Sequence, residues 1–163
     1  MVVPLERKLS HLKDDRAIMV DISSKDIVDR RATAVGKILL SERTIKKIQN
    51  GKIEKGNVLA TARTAAILSV KRTAELIPMC HQIPITSVDV SFSFQEGSIV
   101  ATVEVGSVGR TGVEMEALTG VSIALLTVWD MVKSMEKDAT GNYPNTFIKD
   151  IRVLEKIKGT KTN

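Results

Sequence analysis

The chain has 163 residues, 43% apolar and 26% charged, which is typical of a single soluble domain with one core. Only one Trp, one Tyr and three Phe are present, so the core must be aliphatic, and collagen-like repeats and disorder caused by low hydrophobicity are excluded. Cys80 is the single cysteine, which excludes an intramolecular disulfide, a four-cysteine zinc site and a cysteine-ligated iron–sulfur cluster within one chain.

The net charge of +5 is concentrated towards the C-terminus, where residues 151–163 hold four basic side chains against Glu155. A basic segment can serve nucleic acid, a phosphorylated small molecule or solubility, and so few aromatics do not favour a base-stacking platform. No apolar run approaches the roughly 20 residues that cross a bilayer, and residues 1–6 lack the order of a signal peptide. We therefore expect no membrane association and a cytoplasmic location.

The chain is predicted to form one domain with two unlike ends. Residues 1–18 mix charges with scattered leucines and are expected to be a partly mobile N-terminal arm. Residues 19–157 are predicted to form the single folded domain, and residues 158–163 a basic C-terminal tail. No internal repeat or low-complexity linker divides the domain.

The first half of the domain is predicted to contain one strand and two helices. The strand runs from about Arg31 to Leu40, and a short helix from Ser41 to Asn50 follows, with Ile45 and Ile48 facing inward. A second, alanine-rich helix is predicted from Asn57 to about Leu76, before a proline that cannot continue it.

The second half begins with the clearest hairpin in the sequence. Apolar and polar residues alternate from Val88 to Phe94, Gln95-Glu96-Gly97 forms the turn, and alternation resumes from Ile99 to Val105. Apolar residues then recur every three or four positions, which predicts a long helix from about Gly112 to Lys137. A last strand is predicted from Thr146 to Leu154.

This order of elements is typical of an α+β, ferredoxin-like split βαβ fold. In that arrangement two helices are packed on one face of an antiparallel four-stranded sheet. The opposite face then needs a cover, and other subunits are a natural one, so the fold favours self-association.

The first candidate site is Pro78-Met79-Cys80-His81, between a predicted helix and a predicted strand. Cys80 can simply pack as a small apolar group, and His81 can be an ordinary structural histidine. Adjacent side chains in an extended chain point to opposite sides, so a joint metal site or a Cys–His catalytic pair is disfavoured. The functional alternative makes His81 a polar contact to a ligand.

The second candidate site precedes the long helix, at Gly109-Arg110-Thr111-Gly112-Val113-Glu114-Met115-Glu116. Two glycines allow close approach of the backbone to a ligand, and Arg110 with the first amides of the helix can attract an anion. Thr111 and Glu114 have the spacing of a capping box, which leaves structure and function equally open for Glu114. Glu116 lies outside the box and is a candidate functional residue.

Two further charged features stand out. Asp130 and Lys133 are one helical turn apart, which is the spacing of an ordinary solvated ion pair, although partial burial would let them exchange protons with a substrate. Arg63 lies within an alanine-rich helix face, which suggests a buried partner or a phosphate.

Several ordered segments together resemble one family. The chain resembles the cyclic pyranopterin monophosphate synthases of molybdenum cofactor biosynthesis over about Met19 to Lys156. The segments are Met19-Val20-Asp21-Ile22-Ser23, Lys55-Gly56-Asn57-Val58, Ala60-Thr61-Ala62-Arg63, Leu76-Ile77-Pro78-Met79-Cys80-His81, Thr111-Gly112-Val113-Glu114-Met115-Glu116-Ala117-Leu118-Thr119 and Asp130-Met131-Val132-Lys133.

The resemblance implies a lyase that converts (8S)-3',8-cyclo-7,8-dihydroguanosine 5'-triphosphate, made by a radical enzyme, into cyclic pyranopterin monophosphate and diphosphate. It implies no metal and no other cofactor. It also implies a homohexamer, a trimer of dimers, with pockets between subunits, and a functional coupling to the radical enzyme.

The resemblance further assigns roles to residues. Asp130 and Lys133 match the catalytic positions, and the C-terminal segment leaves Lys156, Lys158 and Lys149 open as its pocket lysine, with Lys156 preferred. The implied substrate-binding residues are Met79, Cys80, His81, Glu114, Met115, Glu116, Arg30, Lys55 and Lys156. Local departures from the family pattern are Met79, Gln82 and Val132, and none of them removes a charged group.

Two alternatives belong to other classes. A non-enzymatic basic module could bind RNA through its sheet, but Phe92 and Phe94 share the parity of the predicted core residues. A zinc-dependent nucleotide cyclohydrolase could use Cys80 and His81, but the other histidine, His11, lies in the predicted arm.

Overall fold

The computed structural model describes residues 12, 13 and 16–160. The first described elements are two very short antiparallel strands, β1 (Leu12–Lys13) and β2 (Arg16–Ala17). The rest of the predicted N-terminal arm and residues 161–163 of the predicted tail lie outside the described residues, so the expected mobility of the arm stays a prediction.

The domain is built on a four-stranded sheet in which all neighbouring strands are antiparallel. Its strands are β3 (Val28–Leu39), β4 (Ile85–Gln95), β5 (Ser98–Gly109) and β6 (Phe147–Lys158), in the spatial order β4-β5-β3-β6. Helices pack on this sheet, so the predicted α+β, ferredoxin-like class is confirmed. The predicted hairpin is present, and Gly97 takes the positive φ of 64° in its turn.

Helix α1 (Glu42–Gln49) has the predicted ends. Ser41 caps it, because the Ser41 hydroxyl accepts a hydrogen bond from the backbone N–H of Thr44. Ile45 and Ile48 are buried, as the periodicity predicts.

The predicted second helix is broken into α2 (Val58–Lys71) and α3 (Thr73–Leu76). The break lies at Arg72. The Thr73 hydroxyl donates to the backbone carbonyls of Ser69 and Val70, and these are acceptors that a continuing helix would use. Arg72 itself has a non-helical backbone, with φ −112° and ψ 14°, so α2 ends ahead of the position that the apolar periodicity predicts.

Two strands are longer than their sequence patterns predict. β3 begins at Val28 rather than Arg31, and β6 continues to Lys158 rather than ending at Leu154. Of the extra residues, Arg30 lies opposite Lys158, and residues 155–157 of β6 pair with residues 31–33 of β3. Charged residues interrupt the apolar alternation of both strands here, so the strand ends depend on pairing rather than on pattern.

Helix α4 (Glu114–Glu136) is the central helix of the domain. By length and composition α4 could cross a membrane, although the sequence contains no continuous apolar run of that length. Half of its apolar stretch is buried inside the domain, against β3, β5, β6 and α2, as in the core helix of a soluble protein. Two glycines allow this close packing. A Cβ on Gly120 of α4 would lie 2.9 Å from Val70, and a Cβ on Gly36 of β3 would lie 2.8 Å from Val121.

We expect Gly36→Ala to destabilise the domain. The added Cβ would lie 2.8 Å from both Ile151 Cγ1 and Val121 Cγ1, so that a strand or α4 must shift. Overpacking of this kind costs about 1–3 kcal/mol, which lowers the melting temperature of a chain of this size by several degrees. Differential scanning calorimetry measures the change, and a melting temperature equal to that of the parent would contradict the close approach of α4 to β3.

Candidate functional site

A cavity of about 370 Å³ lies beside the N-terminus of α4. One wall is the segment that follows α3, another is the first turn of α4, and a third is formed by residues 20–25. The structure brings together five of the predicted substrate-binding residues in this lining: Met79, Cys80, His81, Met115 and Glu116.

Glu116 is the most unusual group in the cavity. The residue is only 3% exposed, and its Oε2 atom has no hydrogen-bond partner among the described residues. Burial raises the pKa of Glu116 above the ordinary glutamate value, and the neighbouring charge of Glu114 raises it further. A buried oxygen without a partner is costly, so the cavity holds a polar group prepared for a ligand.

His81 has one ring nitrogen engaged and the other available. Its Nε2 atom lies 2.8 Å from the backbone carbonyl oxygen of Val20. Because a carbonyl only accepts, Nε2 carries the hydrogen of this bond, and the described residues provide no hydrogen bond to Nδ1. The predicted polar contact to a ligand therefore has a free atom to make it.

Cys80 is half-buried beside Glu116. Burial raises the pKa of its thiol, and the charge of Glu116 raises it further, so the sulfur stays protonated at neutral pH. A protonated thiol is a poor nucleophile and a poor metal ligand. Within residues 12, 13 and 16–160, no group of three or more His, Cys, Asp and Glu side chains could hold a metal ion.

The cavity also has a wall that received no role in the sequence analysis. Val20, Ile22 and Lys25 line it. Arg110 Nη1 donates to the carbonyls of Ser23 and Lys25, each at 2.6 Å, and the anion contact that the sequence suggested for Arg110 stays a prediction. One sequence signal could have pointed to this wall. The segment Met19–Ser23 is part of the family resemblance, although its residues suggested no chemical role.

The start of α4 differs from the sequence prediction. The predicted capping box is absent, because Val113 is the N-cap and no side chain caps the helix. Glu114 instead accepts a hydrogen bond from Lys156 Nζ at 2.5 Å. Burial alone would raise the pKa of Glu114, but the hydrogen bond and charge of Lys156 hold it below the ordinary value, helped by Arg30.

Arg30 and Lys156 therefore lie near the cavity without lining it. The Arg30 side chain donates to the carbonyls of Gly109 and Arg110, at 3.3 and 3.2 Å. Lys149, one of the alternatives to Lys156, instead places its ammonium 5.6 Å from the centre of the Phe147 ring. Binding of substrate by Arg30, Glu114 and Lys156 stays a prediction.

The predicted catalytic pair lies elsewhere, in an exposed ionic cluster of Lys55, Asp130 and Lys133. Asp130 Oδ1 is 2.8 Å from Lys133 Nζ, and Asp130 Oδ2 is 3.0 Å from Lys55 Nζ. These hydrogen bonds, that of Lys133 first, lower the pKa of Asp130, and the bond with Asp130 raises the pKa of Lys133. Both groups are thus charged at neutral pH.

The cluster is solvated and far from the cavity within one chain. The side chains of Lys55, Asp130 and Lys133 are 47%, 57% and 49% exposed, so the partial burial that proton exchange would need is not supplied by this chain alone. Glu116 and Asp130 are separated along α4 by about 20 Å, at 1.5 Å per residue. The structure therefore gathers the predicted residues into two groups and does not join them.

The structure bears on two other sequence expectations, and the phosphate alternative for Arg63 stays a prediction. Arg63 is exposed and has no buried charge as a partner among the described contacts, since its Nε donates to the Val90 carbonyl at 3.0 Å and its guanidinium lies 5.8 Å from the Phe92 ring centre. Phe92 packs partly buried against the core, and both Phe92 and Phe94 belong to β4, an edge strand. This arrangement offers no aromatic platform on the two central strands for RNA.

The comparison with protein families gives a match to the MoaC family model over residues 19–159. The chain belongs to the MoaC family. It is 69% identical to a probable cyclic pyranopterin monophosphate synthase of Methanococcoides burtonii, over 96% of this chain and 99% of that protein. Proteins with the same name from Methanosarcina acetivorans and Pyrococcus abyssi are 64% and 59% identical, each over 95% of this chain and 98% of the relative.

The residues matched by the family model include every residue that lines the cavity. The matched residues begin just before the wall at residues 20–25 and end just after β6. The whole described cavity and the ionic cluster of α4 thus lie inside the part of the chain that defines a MoaC protein.

We expect Glu116→Gln to change the pH dependence of stability. The pKa of Glu116 is raised in the folded chain, so folded chains bind more protons than unfolded chains between the ordinary glutamate pKa and the raised one. Stability contributed by the protonated group is therefore present at low pH and is lost as pH rises through the folded-state pKa. Relative to Glu116→Gln, the parent should become progressively less stable as the pH rises above the ordinary glutamate pKa and through the raised pKa of Glu116.

Urea denaturation at several pH values, followed by circular dichroism, measures this difference. Glu54→Gln alters an exposed carboxyl in the same way and is the matched control. If the profiles of Glu116→Gln and Glu54→Gln ran parallel to each other, the buried carboxyl would not be the origin of the pH dependence.

Proposed function

We propose that this chain is a cyclic pyranopterin monophosphate synthase. It would convert (8S)-3',8-cyclo-7,8-dihydroguanosine 5'-triphosphate into cyclic pyranopterin monophosphate and diphosphate, as a lyase of molybdenum cofactor biosynthesis. The names of relatives that are 56–69% identical over almost the whole chain support this assignment, as does membership of the MoaC family.

The observation that carries the proposal is the unpaired, buried carboxyl of Glu116 in a cavity of about 370 Å³. That volume is within the usual range for small-molecule sites. A purine-derived ring and a sugar present N–H and O–H groups, and Glu116 Oε2 with His81 Nδ1 would accept them. Lys25 on the opposite wall adds a positive charge suited to a phosphate.

The separation of the two residue groups supports a site shared between subunits. A helix of 23 residues holds Glu116 and Asp130 about 20 Å apart, so one chain cannot place both against one small substrate. We therefore propose a homohexamer, a trimer of dimers, in which Lys55, Asp130 and Lys133 of one protomer complete the cavity of another. Packing of a second protomer would also remove water from the ion pair.

The chemistry of the completed site follows from the charges. With Lys133 protonated and Asp130 ionised, Lys133 can donate a proton and Asp130 can accept one during ring opening and rebuilding. In the last step a substrate hydroxyl oxygen bonds to the innermost phosphorus, its proton passes to a base, and the bond to the second phosphate breaks to release diphosphate. The nearby cations Lys55, Arg30 and Lys156 would stabilise the charge of the triphosphate and the leaving group.

The remaining expectations belong to the same proposal. The substrate comes from a radical enzyme, so the chain would act directly after that enzyme, in the cytoplasm. No metal, no other cofactor, no nucleic acid and no membrane takes part in the proposed reaction.

The direct experiment is to incubate the purified chain with the cyclised nucleotide and to measure the pyranopterin product and diphosphate. Both should form in equal amounts, and addition of a chelator should leave the rate unchanged. An active preparation that released no diphosphate, or a chain inactive in every buffer tested, would remove the proposal.

We expect Asp130→Asn and Lys133→Ala each to lower kcat by about 10²–10⁴-fold, as the loss of a proton-transfer group does. Melting temperature and oligomeric mass should stay unchanged, because neither substitution removes a residue of the buried core. The double variant should be little worse than the worse single variant, since the two groups act in one relay. Steady-state kinetics with Lys137→Ala as the matched control measures these effects, and near-parental turnover by either single variant would exclude the catalytic role.

We expect two inactive variants to restore activity to each other if the site is shared. Co-expression of Asp130→Asn with Glu116→Gln chains gives mixed oligomers, in which about a quarter of the sites combine an intact cavity with an intact Asp130 under random mixing. The mixed preparation should thus regain a substantial fraction of parental activity, measured per site. Activity no higher than that of the separate variants would place the complete site within one protomer.

A further inference from the structure

The strap, which we define as residues 18–27 between β2 and β3, forms the wall of the cavity that contains Val20, Ile22 and Lys25. The strap belongs to neither a helix nor a strand. Three of its backbone carbonyls accept hydrogen bonds from side chains elsewhere in the domain. His81 donates to the carbonyl of Val20, and Arg110 donates to those of Ser23 and Lys25. The shape of this wall thus depends on hydrogen bonds rather than on a sheet or a helix.

Arg110 holds the strap through hydrogen bonds to its backbone carbonyls. A single nitrogen, Nη1, donates to both carbonyls at 2.6 Å, and bonds from a charged donor are stronger than neutral ones. The carbonyl of Arg110 itself accepts from Arg30 Nη2 at 3.2 Å, so the loop that carries Arg110 is also held. Arg110 does not line the cavity, whereas Thr111 and Gly112, which follow it, do.

We propose that Arg110 is a positioning residue for the reaction. By holding the carbonyls of Ser23 and Lys25, it keeps the strap closed as a cavity wall and keeps the Lys25 side chain directed to the substrate. This inference rests on the proposed function, because it concerns binding of the cyclised nucleotide triphosphate. It assigns to Arg110 a role through the strap and no contact with the substrate.

The role has a kinetic signature. A wall that contacts the substrate equally before and during reaction contributes uniform binding, whose loss raises KM and leaves kcat unchanged. The strap does not contain the proton-transfer pair of Asp130 and Lys133, so the chemical step should keep its rate once the substrate is bound. A residue needed only for folding would instead lower the melting temperature and the fraction of active enzyme.

The experiment compares Arg110→Ala, Arg110→Lys and the control Arg43→Ala, which removes an exposed arginine of α1. Arg110→Ala should raise KM for the cyclised nucleotide about tenfold or more, with kcat within about threefold of the parent. Arg110→Lys should recover much of this loss, because one ammonium with three donors can serve two carbonyls that meet at one nitrogen. Arg43→Ala should match the parent.

A second measurement needs no substrate. Amide hydrogen exchange of residues 20–25 should be faster in Arg110→Ala than in the parent and in Arg43→Ala, while exchange in β3 and α4 stays the same. If Arg110→Ala does not fold, Arg110→Gln replaces it with the same expectations.

An unchanged KM in a folded Arg110→Ala enzyme would overturn the inference, and so would unchanged exchange in the strap. A parent chain that forms no pyranopterin would instead overturn the proposed function and this inference with it. The activity of the parent therefore separates the two failures.

Discussion

The close packing of α4 against the sheet is the constraint on which the site depends. Gly36 of β3 has no side chain where it faces Val121 of α4, and Gly120 of α4 has none where it faces Val70 of α2. Helix α4 therefore lies in tight contact with both the sheet and α2. A helix held in this way is a rigid rod. Its N-terminal turn brings Glu116 into the cavity, its C-terminal half presents Asp130 to solvent, and the distance of about 20 Å between them is fixed by the helical rise.

The two groups at the ends of this rod differ in their electrostatics in a way that suits different tasks. At the N-terminal end, Glu116 is buried with an unpaired oxygen and a raised pKa, which is unfavourable in the free protein and is relieved by a ligand that donates to it. Near the C-terminal end, Asp130 is fully compensated by two lysines and its pKa is lowered. The first arrangement is incomplete without a ligand, and the second is already stable in water.

The carboxylate of Glu136, elsewhere in the domain, has hydrogen-bond partners, so an unpaired carboxylate oxygen is not a general feature of this fold. Glu136, at the end of α4, accepts hydrogen bonds from Ser41, Thr44 and Thr146, and these hold its pKa below the ordinary value despite the opposing effect of burial. That network joins α1, α4 and the start of β6. Glu136 is therefore satisfied within the protein, whereas Glu116 Oε2 has no partner among the described residues.

The candidate site was predictable from the sequence only in part. Spacing indicated loops at helix ends near His81 and Glu116, but it left each of them divided between a structural and a functional role, and the ordered segments of the resemblance were needed to choose. Spacing also predicted a capping box at Thr111 and Glu114 and an anion contact for Arg110. The structure corrects the capping box, because the partner of Glu114 is Lys156, which is distant in sequence. It adds the carbonyls of the strap as partners of Arg110, and the anion contact stays a prediction.

The sequence by itself determined the aliphatic core, the order of strands and helices, the ferredoxin-like class and the family, because apolar periodicity and ordered local segments are properties of neighbours along the chain. Only the tertiary structure decided that α2 ends at Lys71, that β6 reaches Lys158, that residues 20–25 form a cavity wall, and that Asp130 lies away from Glu116. The end of α2 depends on the non-helical backbone of Arg72, whereas the other three features depend on contacts between segments far apart in sequence. Such contacts are set by which faces pack together in three dimensions, and local pattern carries no record of them.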